Sequence, residues 1–259
     1  MRKLMMSIVV AAAALVGSQA NAAGVIRIGT EAAYAPFEYK DDTGQLKGME
    51  IDLAKVYCER IKAKCEFVNM DFDSLIPALK AGKIDAIISQ MSITAERAKT
   101  VDFTHLVTIA PTQFVAKAGS GIDGTKPETF KGKTIGVQSG TTHETYVNQK
   151  LKDQVTVKVY QGLDDAWLDL EAGRVDIVFA DATIDYDWLD KTGKAKGFEL
   201  AGAQINDAEI FGEGTGMAVR KGDSKLLGEF NKVIDETNKD GTFKKINDKY
   251  FPFNIGPKA

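Results

Sequence analysis

At 259 residues, with 44% hydrophobic and 27% charged side chains, the chain suits two lobes of ordinary size better than one enlarged core. A net charge of −3 without any cluster of Lys and Arg excludes a basic nucleic-acid surface and a polybasic membrane segment. Only His105 and His143 are available to join Cys58 and Cys65, and neither lies near them in sequence, so a metal site is a poor reading and no cofactor is implied.

Arg2 and Lys3 precede an apolar run from Leu4 to Val16, then Gly17–Ser18–Gln19 and Ala20–Asn21–Ala22. These are the three regions of a secretory signal ending on an A-x-A cleavage site, and a run of 13 residues is too short to span a bilayer. Cleavage after Ala22 is expected to leave an exported, soluble chain of 237 residues. Without Arg2 and Lys3, 31 basic residues stand against 36 acidic ones, a net charge of −5.

Val25–Gly29 reads as a strand that delivers Glu31, with Tyr34 and Phe37 close behind. A carboxylate among aromatic faces suits an ammonium or a guanidinium; the alternative is an exposed loop acid beside core aromatics. After a turn over 44–48, a helix is expected from Asp52 to about Lys62, with Leu53, Val56, Tyr57 and Ile61 on its apolar face. On one continuous helix Cys58 and Cys65 would lie about 10.5 Å apart, too far for a disulfide. The helix should therefore end near Lys62–Lys64, letting Cys65 fold back at the start of a strand over 66–70. In an exported chain such a pair is expected to be oxidised. Phe72, between Asp71 and Asp73, is either a pocket wall opposite Tyr34 or a core plug.

Residues 75–97, LIPALKAGKIDAIISQMSITAER, organise the rest. Leu75, Ile76 and Leu79 mark a short helix stopped at Gly82, and Ile84–Ile88 is a buried strand with one acid. Ser89, Gln90 and Ser92 follow, with Thr94 three residues before Arg97. Hydroxyls and an amide at a strand end, then a cation able to grip a carboxylate, read as a small-anion pocket.

A crossing near 109–113 leads to a second lobe. Strand Thr134–Val137 ends in the turn Ser139–Gly140–Thr141–Thr142 at a helix start, a weak anion signal because Ser and Thr are also common N-caps. A helix with Trp167, Leu168 and Leu170 precedes strand Val175–Ala180 and Asp181. That buried acid needs a partner: a ligand ammonium, a protein donor or a helix N-terminus. A return crossing near 203–208 leads to strand Met217–Val219, a helix over 224–239 and a tail that rejoin the first lobe.

The chain also repeats itself. Residues 170–181, LEAGRVDIVFAD, echo 79–90, LKAGKIDAIISQ, and KTIGVQSGT at 133–141 echoes IRIGTEAAY at 26–34. The echoes set Asp176 on Asp85, Asp181 on Gln90 and Gln138 on Glu31. Two lobes of similar α/β build follow, with strand ends directed at a shared cleft.

With RIGTEAAYAPFEY, GMEIDLAKVYCERIKAKC, DFDSLIPALKAGKIDAIIS, MSITAER, FGEGTG and DGTFKKINDKYF, the chain resembles periplasmic polar-amino-acid-binding proteins of ABC importers. This is solute-binding protein family 3, and the lysine/arginine/ornithine- and histidine-binding members look nearest. The resemblance implies a type II periplasmic-binding-protein fold: an α/β chain of two lobes, each a central, mostly parallel sheet flanked by helices, with ligand in the cleft. Residues 23–110 and 207–259 would form lobe 1 and 111–206 lobe 2.

By the same resemblance Arg97 would clamp an amino acid's α-carboxylate, helped by the Ser92 and Thr142 N–H groups. Asp181 would take the α-ammonium with Ser89 and Ser92; Tyr34 and Phe72 would sandwich the side chain; Glu31 would meet its distal cation. Thr141 belongs to the closing turn, and Cys58 and Cys65 match the family disulfide. Gln90, where near relatives carry Ser, and Gln138, where an apolar residue is common, make the pocket more polar than usual. The expected function is capture of arginine, ornithine or lysine by cleft closure and delivery to an inner-membrane ABC permease by a monomer. Rival expectations are a neutral polar amino acid, histidine or an opine-like conjugate, a ligand sensor, or a dehydratase-like enzyme of the same fold.

Overall fold

A computed structural model of the chain describes residues 24–109 and 111–257; the expected signal segment with its cleavage site, and Ala110 in the first crossing, lie outside the described residues. The fold opens with strand β1 (Val25–Thr30), which buries Ile26 and Ile28, and a small antiparallel sheet of β2 (Ala33–Tyr34), β3 (Glu38–Lys40) and β4 (Leu46–Lys47). Helix α1 (Met49–Arg60) starts three residues before the expected Asp52. Gly48, at φ +125°, makes the turn where any Cβ would strike the Phe37 carbonyl, and Met49 and Ile51 enter the core at once. Lys62, at φ +58°, reverses the chain into β5 (Lys64–Asn69), and Cys58 and Cys65 form the expected disulfide with Cα atoms 5.9 Å apart.

Helix α2 (Phe72–Lys80), β6 (Ala86–Ile87), α3 (Ala95–Ala98) and β7 (Val101–Phe103) complete the outward path. β6 is shorter than the expected 84–88 strand, although Ile84 and Ile88 are buried too. The reason lies at its two ends. Asp85 turns aside to accept the Arg27 N–H, and Gln90 takes the left-handed region at φ +41°.

The second lobe contains β8 (Thr112–Lys117), β9 (Thr134–Gln138), α4 (Thr142–Tyr146), β10 (Thr156–Tyr160), α5 (Leu163–Glu171), β11 (Ile177–Asp181), α6 (Ala182–Trp188) and β12 (Phe198–Ile205). Helix α7 (Ala208–Phe211) then precedes β13 (Ala218–Arg220), α8 (Ser224–Lys239) and α9 (Thr242–Tyr250). The strands form two five-stranded sheets, ordered β5-β1-β6-β13-β7 and β10-β9-β11-β8-β12. In each, one strand alone opposes the others: β13 and β8, the first strand after each passage between lobes. The passages run together, since Ile205 pairs with Thr112 and the Thr112 hydroxyl donates to the Ile205 carbonyl at 3.1 Å.

The sequence repeat is a structural repeat. Ile28 pairs with Ala86 and Gly29 with Ile87; at the equivalent positions Ile135 pairs with Ile177 and Gly136 with Val178. Asp85 accepts the Arg27 N–H at 3.0 Å, and Asp176 accepts the Thr134 N–H at 2.8 Å. Tyr57 and Phe230 are fully buried in the first lobe and Phe114, Phe130 and Phe179 in the second, and one apolar cluster runs from Tyr57 and Phe230 across to Trp167 and Val178 of the second lobe.

The disulfide closes a short loop between α1 and β5, so its contribution is mainly a constraint on the unfolded chain. Replacing Cys58 and Cys65 together by Ser is expected to cost about 2–3 kcal/mol. Denaturant melts of the double variant would measure this; no loss would mean the Lys62 turn holds this corner unaided.

Candidate ligand-binding cleft

The carboxyl ends of β1, β6, β9 and β11 converge, as the open α/β rule requires. Between them lies a small cavity lined by Glu31, Tyr34, Phe72, Ser89, Gln90, Ser92, Arg97, Gln138, Thr141, Thr142, Asp181 and His143. All eleven residues singled out from the sequence therefore meet in one place. His143 was not among them.

The lobes face each other in direct contact. The Tyr34 hydroxyl of lobe 1 donates to Asp181 Oδ2 of lobe 2 at 2.7 Å. Gln138 Nε2 donates to both oxygens of Glu31, at 2.6 and 2.7 Å, and to the Gln161 carbonyl at 3.0 Å. Arg97 donates through Nη2 to the Gly140 carbonyl and through Nη1 to the Ser92 carbonyl, both at 3.0 Å, with its guanidinium 5.3 Å from the Phe72 ring centre. At the lip, Ser139 Oγ donates to Asp73 at 2.9 Å. Gly140 adopts φ +73° there, and a Cβ would lie 3.0 Å from that of Asp73.

Several hydroxyls have structural work as well. Ser89 Oγ accepts the Glu31 N–H at 3.0 Å and donates to Glu38 at 3.2 Å. Thr141 caps α4 by accepting the Glu144 N–H, so its hydroxyl matches the bland N-cap reading while its residue lines the cavity. Gln90 accepts from the Thr108 and Thr215 hydroxyls at 2.7 and 2.9 Å, leaving its Nε2 without a partner. Asp181 starts α6 but makes no side-chain cap; Tyr34 is its protein donor.

The electrostatics are dominated by buried acid. Glu31 is 6% exposed, and burial, reinforced by Asp71, Asp164 and Asp73, raises its carboxyl to about 7 even though Gln138 pulls the other way. Burial brings the half-buried Arg97 guanidinium down to about 10, opposed by the Asp181 charge. Behind the wall sit three acids the sequence reading passed over. Glu38 and Glu50 are fully buried, close enough for the charge of Glu50 to act on Glu38; Glu50 accepts the Gln90 N–H at 2.8 Å. Burial lifts Glu50 to about 7, and burial plus the Glu50 charge lifts Glu38 further, so the pair keeps a shared proton at neutral pH. Asp185, one turn along α6 from Asp181, has neither oxygen partnered; burial and the Asp181 charge keep it a neutral acid. A lone acid in an apolar setting, as in PFEY and GMEID, was the only sequence sign of these groups. Among the described residues no cluster of three or more His, Cys, Asp or Glu is arranged to hold a metal ion.

Two similar lobes, each presenting strand ends to a shared polar cavity, define a protein that encloses a small ligand between domains. Residues 26–253 match the family of bacterial extracellular solute-binding proteins, family 3, and the chain belongs to it. It is 46% identical over 231 residues, 89% of each chain, to an L-arginine-binding protein of Pseudomonas aeruginosa. To the lysine/arginine/ornithine-binding periplasmic protein of Escherichia coli it is 40% identical over 253 residues, 97% of each. A solved structure of an ancestral arginine-binding protein bound to arginine superposes with a TM-score of 0.82 at 42% identity, covering 88% of this chain and 98% of that one. The two-lobed fold is thus the type II periplasmic-binding fold.

Glu31, Glu38 and Glu50 hold protons more tightly folded than unfolded, so the stability they supply is present at low pH and lost as pH rises through 7. Stability should therefore decline between about pH 5 and 8. Glu50→Gln, which keeps an acceptor for the Gln90 N–H, should flatten that decline. Urea melts across this range decide it, and an unchanged slope would rule out the shared proton.

Proposed function

We propose that this protein captures a basic amino acid, arginine, ornithine or lysine, by closing its lobes and delivers it to an inner-membrane ABC permease. The observation that carries the reading is charge complementarity in one small cavity. Arg97, Asp181 and Glu31 supply one cation and two anions, the inverse of an α-carboxylate, an α-ammonium and a distal cation. The carboxylate docks on Arg97, the ammonium on Asp181, and the aliphatic stem lies between the Tyr34 and Phe72 rings. The distal cation reaches Glu31, whose neighbour Gln138 offers its amide oxygen to the same group. The relatives named for arginine, lysine and ornithine support this choice.

Closure follows from hinge bending at the paired passages near 109–113 and 203–208, with 23–110 and 207–259 moving against 111–206. A ligand shifts that equilibrium only as far as it binds the closed state better. Residues 1–22 serve as the export signal, cleaved after Ala22, and the mature protein works as a monomeric binder rather than a catalyst.

A second reading rests on the Gln138–Glu31 bond. A carboxyl already accepting an amide twice, and raised to about 7, fits a neutral polar side chain such as that of citrulline or glutamine. Calorimetry with arginine, ornithine, lysine, citrulline and glutamine separates the two. In Glu31→Gln, cationic ligands are expected to lose at least about 30-fold in affinity and citrulline only about threefold. Equal losses would remove Glu31 from the distal-cation role. Arg97→Ala should abolish binding of every α-amino acid; retained binding would sink the carboxylate clamp.

A further inference from the structure

His143 is the cavity residue with an unassigned task. It follows Thr142 on α4, is 5% exposed, and is held between aromatic rings: edge-on to Phe179 at 4.9 Å and beside Phe211 at 5.8 Å. Its Nε2 has no hydrogen-bond partner and stands 3.5 Å from Asp181 Oδ1, too far for a good bond. The other Asp181 oxygen is already taken by the Tyr34 hydroxyl. With the neutral ring's proton on Nδ1, two lone pairs oppose each other at the cavity wall. A donor placed between them satisfies both, and two donors qualify: a second proton, which makes the ring an imidazolium, or an ammonium from a ligand.

We propose that His143 is a second contact for the ligand's α-ammonium, and that ligand and proton compete for the place between Nε2 and Asp181 Oδ1. This rests on the reading that an α-amino acid occupies the cavity with its ammonium at Asp181. Other groups around the ring do not substitute for it. Asp185 behind Asp181 is neutral, and Tyr34 brings a hydroxyl engaged with Asp181. Arg97 enters the same cavity from the opposite lobe. On α4 itself Glu144 turns back to the Gly140 N–H at 2.8 Å. On α7, packed against α4, Asp207 caps its own helix and pairs with Lys150, and Glu209 is exposed. The Asp181–His143 pair is thus where a proton would neutralise the anion the ligand needs.

Imidazole is the side chain that ordinarily changes charge between about pH 5 and 8. One proton is then expelled for each ligand bound at acid pH, and affinity falls as pH is lowered, approaching about tenfold per pH unit. Glu31 adds a fall of the same sign, but only for cationic side chains. The test is therefore run with L-arginine and with L-citrulline, whose side chain is neutral, by calorimetry from pH 8 to pH 5.5 in buffers of differing ionisation heat. Wild type should weaken toward both ligands on acidification and release protons on binding citrulline. His143→Gln keeps an acceptor that takes no charge, and its citrulline profile should be flat. The chain has only two histidines, so NMR of the wild-type rings gives a second readout. Ligand should move the ring resonances of His143 and leave those of exposed His105 unmoved. Binding whose pH profile is the same in His143→Gln, or His143 ring resonances indifferent to ligand, overturns the inference while the ligand reading stands. No amino-acid binding at pH 8 overturns both.

Discussion

A repeated clamp sets the architecture: in each lobe, an aspartate just before a central strand accepts a backbone N–H from the neighbouring parallel strand. Asp85 holds Arg27 and Asp176 holds Thr134, and the returning bonds, Asp85 N–H to Arg27 and Asp176 N–H to Thr134, close both pairs. Because a one-residue slip in a strand turns every side chain to the other face, this fixed register decides what reaches the cleft. With it fixed, Glu31 and Gln138 leave equivalent strand ends and meet across the cleft, and Gln90 and Asp181, the other equivalent pair, line the same cavity. In lobe 1 the clamp is reinforced, since Arg27 and Arg220 both pair with Asp85 and draw its carboxyl down to about 2. The cleft is polar because both copies of the repeat end in polar residues, Glu31 and Gln138 in one pair and Gln90 and Asp181 in the other.

Gathering Glu31, Glu38, Glu50, Asp181 and Asp185 around one guanidinium and one imidazole would be prohibitive if all five carried charge. The protein spreads the cost. Glu38 and Glu50 share a proton, and Asp185 stays neutral. Asp181 is held by a tyrosine hydroxyl and Glu31 by an amide. What remains is a site still short of positive charge, and that deficit is what a cationic ligand would fill. The buried pair also shapes the wall: Glu50 holds the Gln90 N–H of a residue at φ +41°, and Glu38 steadies the serine that holds the Glu31 backbone.

Much of this was legible in the residues. Periodicity and glycine punctuation marked the strands and helices, and the internal echo anticipated two lobes of similar build, which the equivalent pairings of Ile28 with Ala86 and Ile135 with Ile177 bear out. The cavity wall was legible because its side chains sit at strand ends, where hydroxyls, amides and acids interrupt apolar runs. The early start of α1 was not, because Gly48 acts through a contact with Phe37 that only the fold creates. Nor were Glu38, Glu50 and Asp185, since an acid beside apolar residues looks the same whether solvated or shut in with a neighbour. His143 was hidden for a related reason: it follows a hydroxyl turn that reads as an N-cap, and its distance to Asp181 spans two elements.

The bonds that join the lobes bear on selectivity as well as closure. Tyr34–Asp181, Gln138–Glu31, Arg97–Gly140 and Ser139–Asp73 each exchange hydration for one internal bond, worth about 1 kcal/mol net apiece and more where a charge takes part. Two of them engage Asp181 and Glu31, the anions assigned to the ligand on the proposed reading. A ligand that must share Glu31 with Gln138 therefore gains the difference between its own bond and the amide's, not a whole ion pair. The Ser139–Asp73 contact lies at the lip and makes no such demand; it favours closure alike for any occupant. Discrimination thus rests on how well a side chain improves on Gln138, and closure on how little the lip contacts need help.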